Sequence, residues 1–230
     1  MKPLFVITAR GGSKGLPGKN TKILNGKPLI TYSIEIARNF TGDSDICVST
    51  DDDAIINVVE ACGLHIPFKR PAELATDSAN SQDVLVHAWN FYKNKGLFYD
   101  CLVLLQPTSP FRKKEDLKNC LDMYSGDCDM VVSVKESDAN PYFNLFEDTG
   151  NGFLIKSKEA NFKRRQDCPK VYMLNGSVYV INPHSLLTEG MSGFRKVKKY
   201  IMDENHSVDI DTQKDWDFAE YLIKNNRILI

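Results

Sequence analysis

Apolar and polar positions follow two periods along the first half of the chain. Short, mainly apolar runs predict strands that are buried on both faces, and they span 3–9, 45–50, 101–106 and 130–135. Segments with apolar residues at helical spacing predict helices, and they span 28–39, 53–62, 82–94 and 114–125. Strands that alternate with such helices predict βαβ units, and therefore an α/β fold with a mostly parallel sheet flanked by helices.

The pattern changes after Glu136. Residues 140–168 are rich in Asn, Lys, Asp and aromatic residues and show no helical stripe, although a hairpin is predicted within them. We interpret this segment as a small insertion and as a candidate dimerisation arm. The α/β pattern then resumes with a strand over 177–182 and a helix over 212–225, so we expect 1–230 to form a single domain.

Composition and charge exclude several classes of function. The chain has 230 residues, 42% of them hydrophobic, and a net charge of −1, which predicts no nucleic-acid partner and no membrane partner. No apolar run reaches the about 18 residues of a membrane span, and the N-terminal apolar stretch is too short for a signal peptide. The six cysteines lack metal-ligand spacing, so we expect free thiols and a cytoplasmic location.

Charge is nevertheless unevenly distributed. Before Glu35 the chain contains no acidic residue but has six cationic ones: Lys2, Arg10, Lys14, Lys19, Lys22 and Lys27. A cationic segment in a nearly neutral protein indicates a local anionic ligand.

The glycine-rich segment 9–20, A-R-G-G-S-K-G-L-P-G-K-N, follows the first predicted strand and is called the phosphate loop below. Its glycines let the backbone approach a ligand and place N–H groups around phosphate oxygens, while Arg10, Lys14 and Lys19 neutralise a triphosphate. A Walker A motif is excluded because Ser13 and Asn20 stand where Gly and Ser or Thr are required, and the G-x-G-x-x-G fingerprint fits no register.

The phosphate loop closely resembles the signature of CMP-sialic acid synthetases (acylneuraminate cytidylyltransferases), whose relatives make the CMP forms of KDN, legionaminic, pseudaminic and KDO sugars. The resemblance implies a Rossmann-like nucleotidyltransferase sheet, CTP and a nonulosonic acid as substrates, Mg²⁺ as cofactor, and a homodimer. It assigns phosphate and transition-state stabilisation to Arg10 and Lys19. It further implies these nucleotide-binding residues in the loop: Gly11, Gly12, Ser13, Lys14 and Asn20.

Two further segments resemble the family. The segment 70–77 looks like its R-P-x-x-L-A-x-D motif, which implies a cytosine pocket that includes Arg70, Ala79 and Ser81. A lone arginine is usually an ordinary surface residue, but here its neighbours match as well. The second segment, Q-P-T-S-P, follows a buried strand, and its prolines fix a turn.

In that turn, Gln106, Thr108 and Ser109 present polar groups at the carboxyl end of the predicted strand. The resemblance implies that the glutamine contacts the sugar, and we expect the other two to bind it as well. A plain polar turn is the alternative.

Asp209 and Asp211 form a D-x-D pair before the last predicted helix. Paired carboxylates near phosphates suit Mg²⁺, which prefers oxygen ligands. The alternative is that Asp211 or Thr212 caps the helix, which explains one aspartate but not both. The resemblance implies a Mg²⁺ site, and Asp211 is also a candidate acceptor of the hydroxyl proton.

The resemblance also aligns Arg165 with an arginine that binds the sugar carboxylate, in its own site or in that of a partner subunit. Asn175 and Tyr179 match an N-G-x-x-Y motif, whereas Met173 stands where sialic acid enzymes can carry a second arginine and Tyr142 where a lysine can occur. The sugar therefore stays open. A KDO cytidylyltransferase and a catalytically inactive CTP-binding protein are the alternative functions.

Overall fold

The computed structural model describes residues 1–12, 14–76 and 79–228. Its strands are β1 Pro3–Thr8, β2 Ile23–Leu24, β3 Lys27–Pro28, β4 Ile46–Ser49, β5 Cys101–Leu105, β6 Met130–Glu136, β7 Phe146–Asp148, β8 Leu154–Lys156, β9 Tyr172–Ile181 and β10 Val197–Ile201. Its α-helices are α1 Leu29–Ala37, α2 Asp53–Ala61, α3 Ser81–Asn94, α4 Lys114–Met123, α5 Pro183–Thr188 and α6 Gln213–Lys224.

The main sheet has six strands in the order β10-β6-β9-β5-β1-β4. Its parallel pairs are β1 with β4, β1 with β5, and β10 with β6, whereas β9 runs antiparallel to both β5 and β6. The expectation of a mostly parallel sheet is therefore confirmed, with one inverted strand near its centre.

Both faces of the sheet are covered because the strands are apolar on both sides. On β1, Phe5 and Ile7 pack in the cluster that contains residues of α1, α2 and α4, while Leu4 and Val6 pack in the cluster that contains residues of α3 and α5. A third cluster surrounds Trp216 on α6. The near-continuous apolar runs in the sequence follow directly from this burial on two faces.

Two elements of the sheet region had no signal in the sequence pattern. The strand β10 forms an edge of the sheet, and most of its residues are exposed. The helix α5 is short, with Asn182 as its N-cap and Pro183 in its first turn. Hydrophobic periodicity is weak in both, because neither an exposed edge strand nor a six-residue helix requires an apolar stripe.

The segment 140–168 carries the predicted hairpin, now placed at β7 and β8. Every residue of these two strands is exposed. The hairpin of β7 and β8 with its connecting turn, and not the whole segment 140–168, is called the arm below. The segment that carries the arm leaves and re-enters the main sheet where Glu136 of β6 pairs with Tyr172 of β9.

The strand order creates a crevice above β1. The chain passes from β1 to β4 on one side and later returns to β5 on the other, so the loops that follow β1 and β5 diverge at the carboxyl edge of the sheet. Such a switch point is where open α/β sheets bind ligands. None of the described helices has both the length and the apolar character needed to cross a membrane.

Candidate active site

A cavity of about 450 Å³ opens at this carboxyl edge. It brings together most of the site residues that the sequence predicts: Arg10, Lys14, Lys19, Asn20, Arg70, Ala79, Ser81, Gln106, Thr108 and Asp211. These residues come from widely separated parts of the chain, so only the fold assembles them. Their convergence supports a single site for a nucleotide and an acceptor.

The phosphate loop is held to the rest of the molecule by specific contacts. Arg10 donates from Nη1 to the carbonyl of Thr76 at 3.2 Å, and within the loop the buried Asn20 donates from Nδ2 to the carbonyl of Arg10 at 3.3 Å. Gly15 lies so close to the carbonyl of Asp211 that an added Cβ would be 2.4 Å from that oxygen. The loop therefore needs glycine at this position to close over the last predicted site segment.

The remaining loop residues of the predicted set are placed differently. Gly11 lines a smaller neighbouring cavity of about 80 Å³, and its N–H donates to Oδ1 of Asp51 at 3.2 Å. Gly12 lines neither of these two cavities. Ser13 lies outside the described residues, and so does Asp77 of the R-P-x-x-L-A-x-D segment.

Lys19 joins the phosphate loop to the D-x-D pair. Its Nζ lies 2.6 Å from Oδ1 of Asp211 and donates to the carbonyl of Ile210 at 3.2 Å. The lysine side chain is only 13% exposed, whereas that of Asp211 is 66% exposed. The ammonium group is thus fixed at the wall of the cavity, next to a carboxylate that faces its mouth.

Asp209 lies deeper than Asp211. Its Oδ1 is buried and has no hydrogen-bond partner among the described residues. Burial raises the pKa of Asp209, an effect opposed by a hydrogen bond from Thr108 and reinforced by the nearby charge of Asp211. Such an orphaned carboxylate oxygen is costly unless a cation approaches it.

The alternative that the D-x-D pair serves as a helix cap is resolved by α6. Thr212 is the N-cap and forms a capping box with Asp215, whose carboxylate also accepts the backbone N–H of Asp211. The side chain of Asp211 is therefore left for the cavity. No cluster of three or more His, Cys, Asp or Glu side chains suited to a metal occurs among the described residues, so a Mg²⁺ ion held by Asp209 and Asp211 would take its remaining ligands from substrate oxygens and water.

Arg70 also lines the cavity and is buried. It donates from Nε to the hydroxyl of Ser49 at 3.0 Å and from Nη2 to the Ser49 carbonyl. Desolvation lowers the pKa of Arg70, and the charge of Asp51 opposes that shift. Because the end of β4 fixes the guanidinium, Arg70 can present a rigid donor to a base held near Ala79 and Ser81.

A family model described as Cytidylyltransferase matches residues 4–230. The chain belongs to the cytidylyltransferase family. The family resemblance in the phosphate loop is thereby confirmed. For a cytidylyltransferase, the cavity just described is the candidate nucleotide site.

Relatives and a solved structure agree with this assignment. The chain is 32% identical to the CMP-N,N'-diacetyllegionaminic acid synthase of Legionella pneumophila, over 99% of this chain and 98% of that protein. It is 36% identical to the N-acylneuraminate cytidylyltransferase of Streptococcus agalactiae, over 94% of this chain and 52% of that protein. The fold also matches a CMP:2-keto-3-deoxy-manno-octonic acid synthetase complexed with CTP, with a TM-score of 0.72, 19% identity, and coverage of 98% of this chain and 100% of that chain.

The turn after β5 in this cytidylyltransferase separates its three predicted sugar residues. Gln106 and Thr108 line the cavity. Ser109 is fully buried, and its hydroxyl donates to the carbonyl of Asn175 at 3.4 Å. It therefore supports the turn and does not line the cavity.

Arg165 does not reach the cavity that holds Arg10 and Lys19. It lines a separate cavity of about 370 Å³ and forms an ion pair with Asp138. Within one chain the structure therefore does not bring Arg165 together with the other site residues. Its predicted contact with a sugar stays a prediction.

Gly176 lies close to two predicted site side chains, Asp209 and Gln106, in a way the sequence pattern did not reveal. Its φ is +70°, and a Cβ there would lie 3.0 Å from both Oδ2 of Asp209 and Oε1 of Gln106. We expect Gly176→Ala to lower the free energy of unfolding by about 1–2 kcal/mol because of the left-handed backbone, and to reduce turnover because it displaces both side chains. Chemical unfolding and initial rates measure the two effects.

Gly96→Ala is the matched control for that substitution. Gly96 has a φ of +73°, and a Cβ there would meet no atom within 4 Å. Its variant should show the same loss of stability with normal turnover. Equal turnover in the two variants would contradict the proposed crowding of Asp209 and Gln106.

Sequence reasoning missed the buried polar residues under the site. Asn175 accepts at Oδ1 from the hydroxyl of Ser133 at 2.7 Å and donates from Nδ2 to Ser207 Oγ at 2.9 Å. It thereby connects β6 and β9 to the segment that leads into Asp209. Asn175 was identified only as part of the N-G-x-x-Y motif. Arg112, which follows the Q-P-T-S-P turn, had no signal beyond its proximity to that motif.

Proposed function

We propose that this cytidylyltransferase transfers CMP from CTP to the anomeric hydroxyl of a nonulosonic acid and releases pyrophosphate. One observation carries the proposal. A single cavity is lined by the cationic side chains of Arg10, Lys14 and Lys19 together with Arg70 and the Gln106 turn. That arrangement gives the triphosphate, the base and the acceptor adjoining places at the carboxyl edge of the sheet.

The phosphate loop supplies the charge that the reaction requires. Transfer of this kind depends on positioning and charge neutralisation more than on covalent chemistry by the protein. Arg10 and Lys19 stabilise negative charge on the phosphate oxygens as pyrophosphate departs. Asp209 and Asp211 would hold Mg²⁺, which as a hard Lewis acid would further neutralise those oxygens.

The acceptor is expected beside Gln106 and Thr108. Both line the cavity close to Asp211, which we propose as the acceptor of the hydroxyl proton. The relatives named above act, by their names, on diacetyllegionaminic acid and on N-acylneuraminate. These sugars share the nonulosonic acid skeleton, which supports that class over KDO, since the KDO enzyme matches in fold alone.

The direct test is pyrophosphate release from CTP and Mg²⁺ with a panel of Neu5Ac, KDN, legionaminic, pseudaminic and KDO acids. We expect turnover with a nonulosonic acid that has nine carbons, and none with UTP in place of CTP. Turnover with KDO alone would establish the alternative cytidylyltransferase. Binding of CTP without turnover on any sugar would support an inactive CTP-binding protein.

The protein is further proposed to act as a homodimer in the cytoplasm. The arm exposes adjacent apolar side chains, with Phe153 at 72%, Leu154 at 66% and Ile155 at 56% exposure. A two-stranded hairpin without support is marginally stable, so these side chains require a partner surface.

The cytoplasmic location is favoured because the six cysteines are free thiols.

Phe153→Glu should shift the protein from dimer to monomer, because it places a charge in the proposed apolar interface. Light scattering after gel filtration measures the mass. Phe98→Glu is the matched control, since Phe98 is also 72% exposed but lies between α3 and β5. A wild-type mass of one chain would refute the dimer. An equal change of mass in both variants would show that the arm does not form the interface.

A further inference from the structure

Arg112 is a buried cation beneath the acceptor side of the cavity. Its exposure is 5%, and it makes three divergent contacts. It donates from Nε to Ser177 Oγ at 3.1 Å, from Nη1 to Ser33 Oγ at 2.8 Å, and from Nη2 to the carbonyl of Gln106. One side chain therefore ties three elements together.

The first of these elements is the Gln106 turn. The Gln106 carbonyl accepts from Arg112, from the hydroxyl of Ser33 at 3.3 Å and from the N–H of Ser109 at 3.3 Å. With its backbone held by three donors, Gln106 has little freedom except in its side chain. That side chain lines the cavity, with Oε1 beside Gly176.

The second and third elements are the β9 bend and α1. Ser177 directly follows Gly176, whose backbone packs against Asp209 and Gln106. Ser33 lies on α1, whose first turn is fixed to the end of the phosphate loop by a hydrogen bond from the N–H of Ile30 to the carbonyl of Asn20 at 3.0 Å. Arg112 thus links the loop that holds phosphate to both walls of the acceptor side.

This arrangement has an energetic cost. Burial lowers the pKa of Arg112 to about 9, while the charges of Asp209 and Asp116 oppose the shift. Among the described residues, no carboxylate lies within ion-pair distance of the guanidinium. A buried charge without a direct counterion is weak as a stabilising device, since an apolar residue of similar size is often at least as stable.

We propose that Arg112 is a positioning residue that sets the acceptor side of the site against the phosphate loop. Its own side chain does not line the cavity, which it reaches only through the backbone of Gln106. Because in-line attack requires the acceptor oxygen to lie close to the α-phosphate, the relative placement of these walls governs the rate with the acceptor. The inference rests on the proposed function for the identity of that acceptor.

The kinetic test compares Arg112→Lys and Arg112→Met with Arg38→Lys and Arg38→Met. Arg38 is the matched control because its guanidinium also makes several structural contacts, to Asp43 and to the carbonyl of Cys62, but lies away from the site. We expect kcat/KM for the acceptor to fall about 10- to 100-fold in both Arg112 variants. The Kd for CTP should stay within about twofold, and the Arg38 variants should keep both values.

Hydrogen exchange provides a second measurement that needs no turnover. In folded Arg112→Lys we expect faster exchange in peptides that cover 106–110 and 174–178, because a lysine cannot make three divergent hydrogen bonds. Exchange over 46–49 should be unchanged. If Arg112→Met fails to fold, Arg112→Lys and Ser177→Ala supply both measurements.

The outcomes separate the two proposals. A wild type that turns over no sugar refutes the proposed function, while the exchange pattern still decides the role of Arg112. Acceptor kcat/KM that is unchanged in folded Arg112→Lys, or exchange that is unchanged over 106–110, overturns the positioning role. A parallel loss of CTP affinity would overturn it as well, because the residue would then act on the whole fold.

Discussion

Lys19→Ala should lower kcat about 10²-fold or more, because it removes a fixed cation from the place where negative charge develops. In the structure the ammonium group lies 2.6 Å from Oδ1 of Asp211 and is largely shielded from water. A charge held in such a position is worth far more than one on an open surface, since solvent does not screen it. Initial rates of pyrophosphate release at saturating CTP and acceptor measure the effect.

Lys22→Ala is the control for this substitution. Lys22 lies three positions further along the chain, and its Nζ lies over the ring of Trp216, 4.2 Å from the ring centroid. Lys22 lines neither of the two cavities next to the phosphate loop. Its loss should change kcat by less than about twofold. An unchanged kcat in Lys19→Ala, or equal losses in both variants, would refute the role of Lys19 in the transition state.

Asp209→Asn should lower kcat/KM for CTP about 10²-fold or more and raise the Mg²⁺ concentration needed for half-maximal rate. The substitution keeps the shape of the side chain and removes its charge. Oδ1 of Asp209 is buried without a hydrogen-bond partner, which is the environment expected of a metal ligand. Rates measured across a Mg²⁺ titration separate loss of metal affinity from loss of the chemical step.

Asp209→Asn should also change how the free energy of unfolding depends on pH. Burial raises the pKa of Asp209, so the folded protein holds the proton more tightly than the unfolded chain. Ionisation of Asp209 therefore costs stability as the pH rises above the ordinary carboxyl pKa. Without Mg²⁺, the stability of Asp209→Asn relative to wild type should be greater at pH 7.5 than at pH 4.5.

Asp203→Asn is the control for both measurements. Asp203 is exposed and hydrogen-bonds to His206, an interaction that lowers the pKa of the carboxyl group. Its substitution should leave the Mg²⁺ dependence unchanged and gain nothing in stability at neutral pH. Full activity of Asp209→Asn at ordinary Mg²⁺ would exclude Asp209 from metal binding.

The part of the candidate site formed by the phosphate loop could be predicted from local sequence. Phosphate recognition needs glycine, backbone N–H groups and cations within a short segment, so the phosphate loop carries its chemistry in consecutive letters. Arg10, Lys14, Lys19 and Asn20 accordingly line the cavity as expected. The buried strands could also be predicted, because burial on two faces leaves continuous apolar runs in the sequence.

The acceptor half could not be predicted to the same depth. The inverted direction of β9 depends on which strands it lies between, and no local pattern encodes that neighbourhood. A serine in a proline-containing turn is usually exposed, but Ser109 is fully buried. Arg112 acquires its contacts only when Ser33 and Ser177, far apart in sequence, meet beneath the Gln106 turn.

The ladder that joins β6 to β9 has a consequence for how this protein diversifies. Glu136 pairs with Tyr172, and the N–H of Ser137 donates to the carbonyl of Val171 at 3.0 Å, so the excursion between them begins and ends at one closed point. Changes in the length or sequence of that excursion would leave the scaffold of the cavity residues between Arg10 and Thr108 in place. The excursion can therefore vary independently of the cavity, as an appended module on a fixed scaffold.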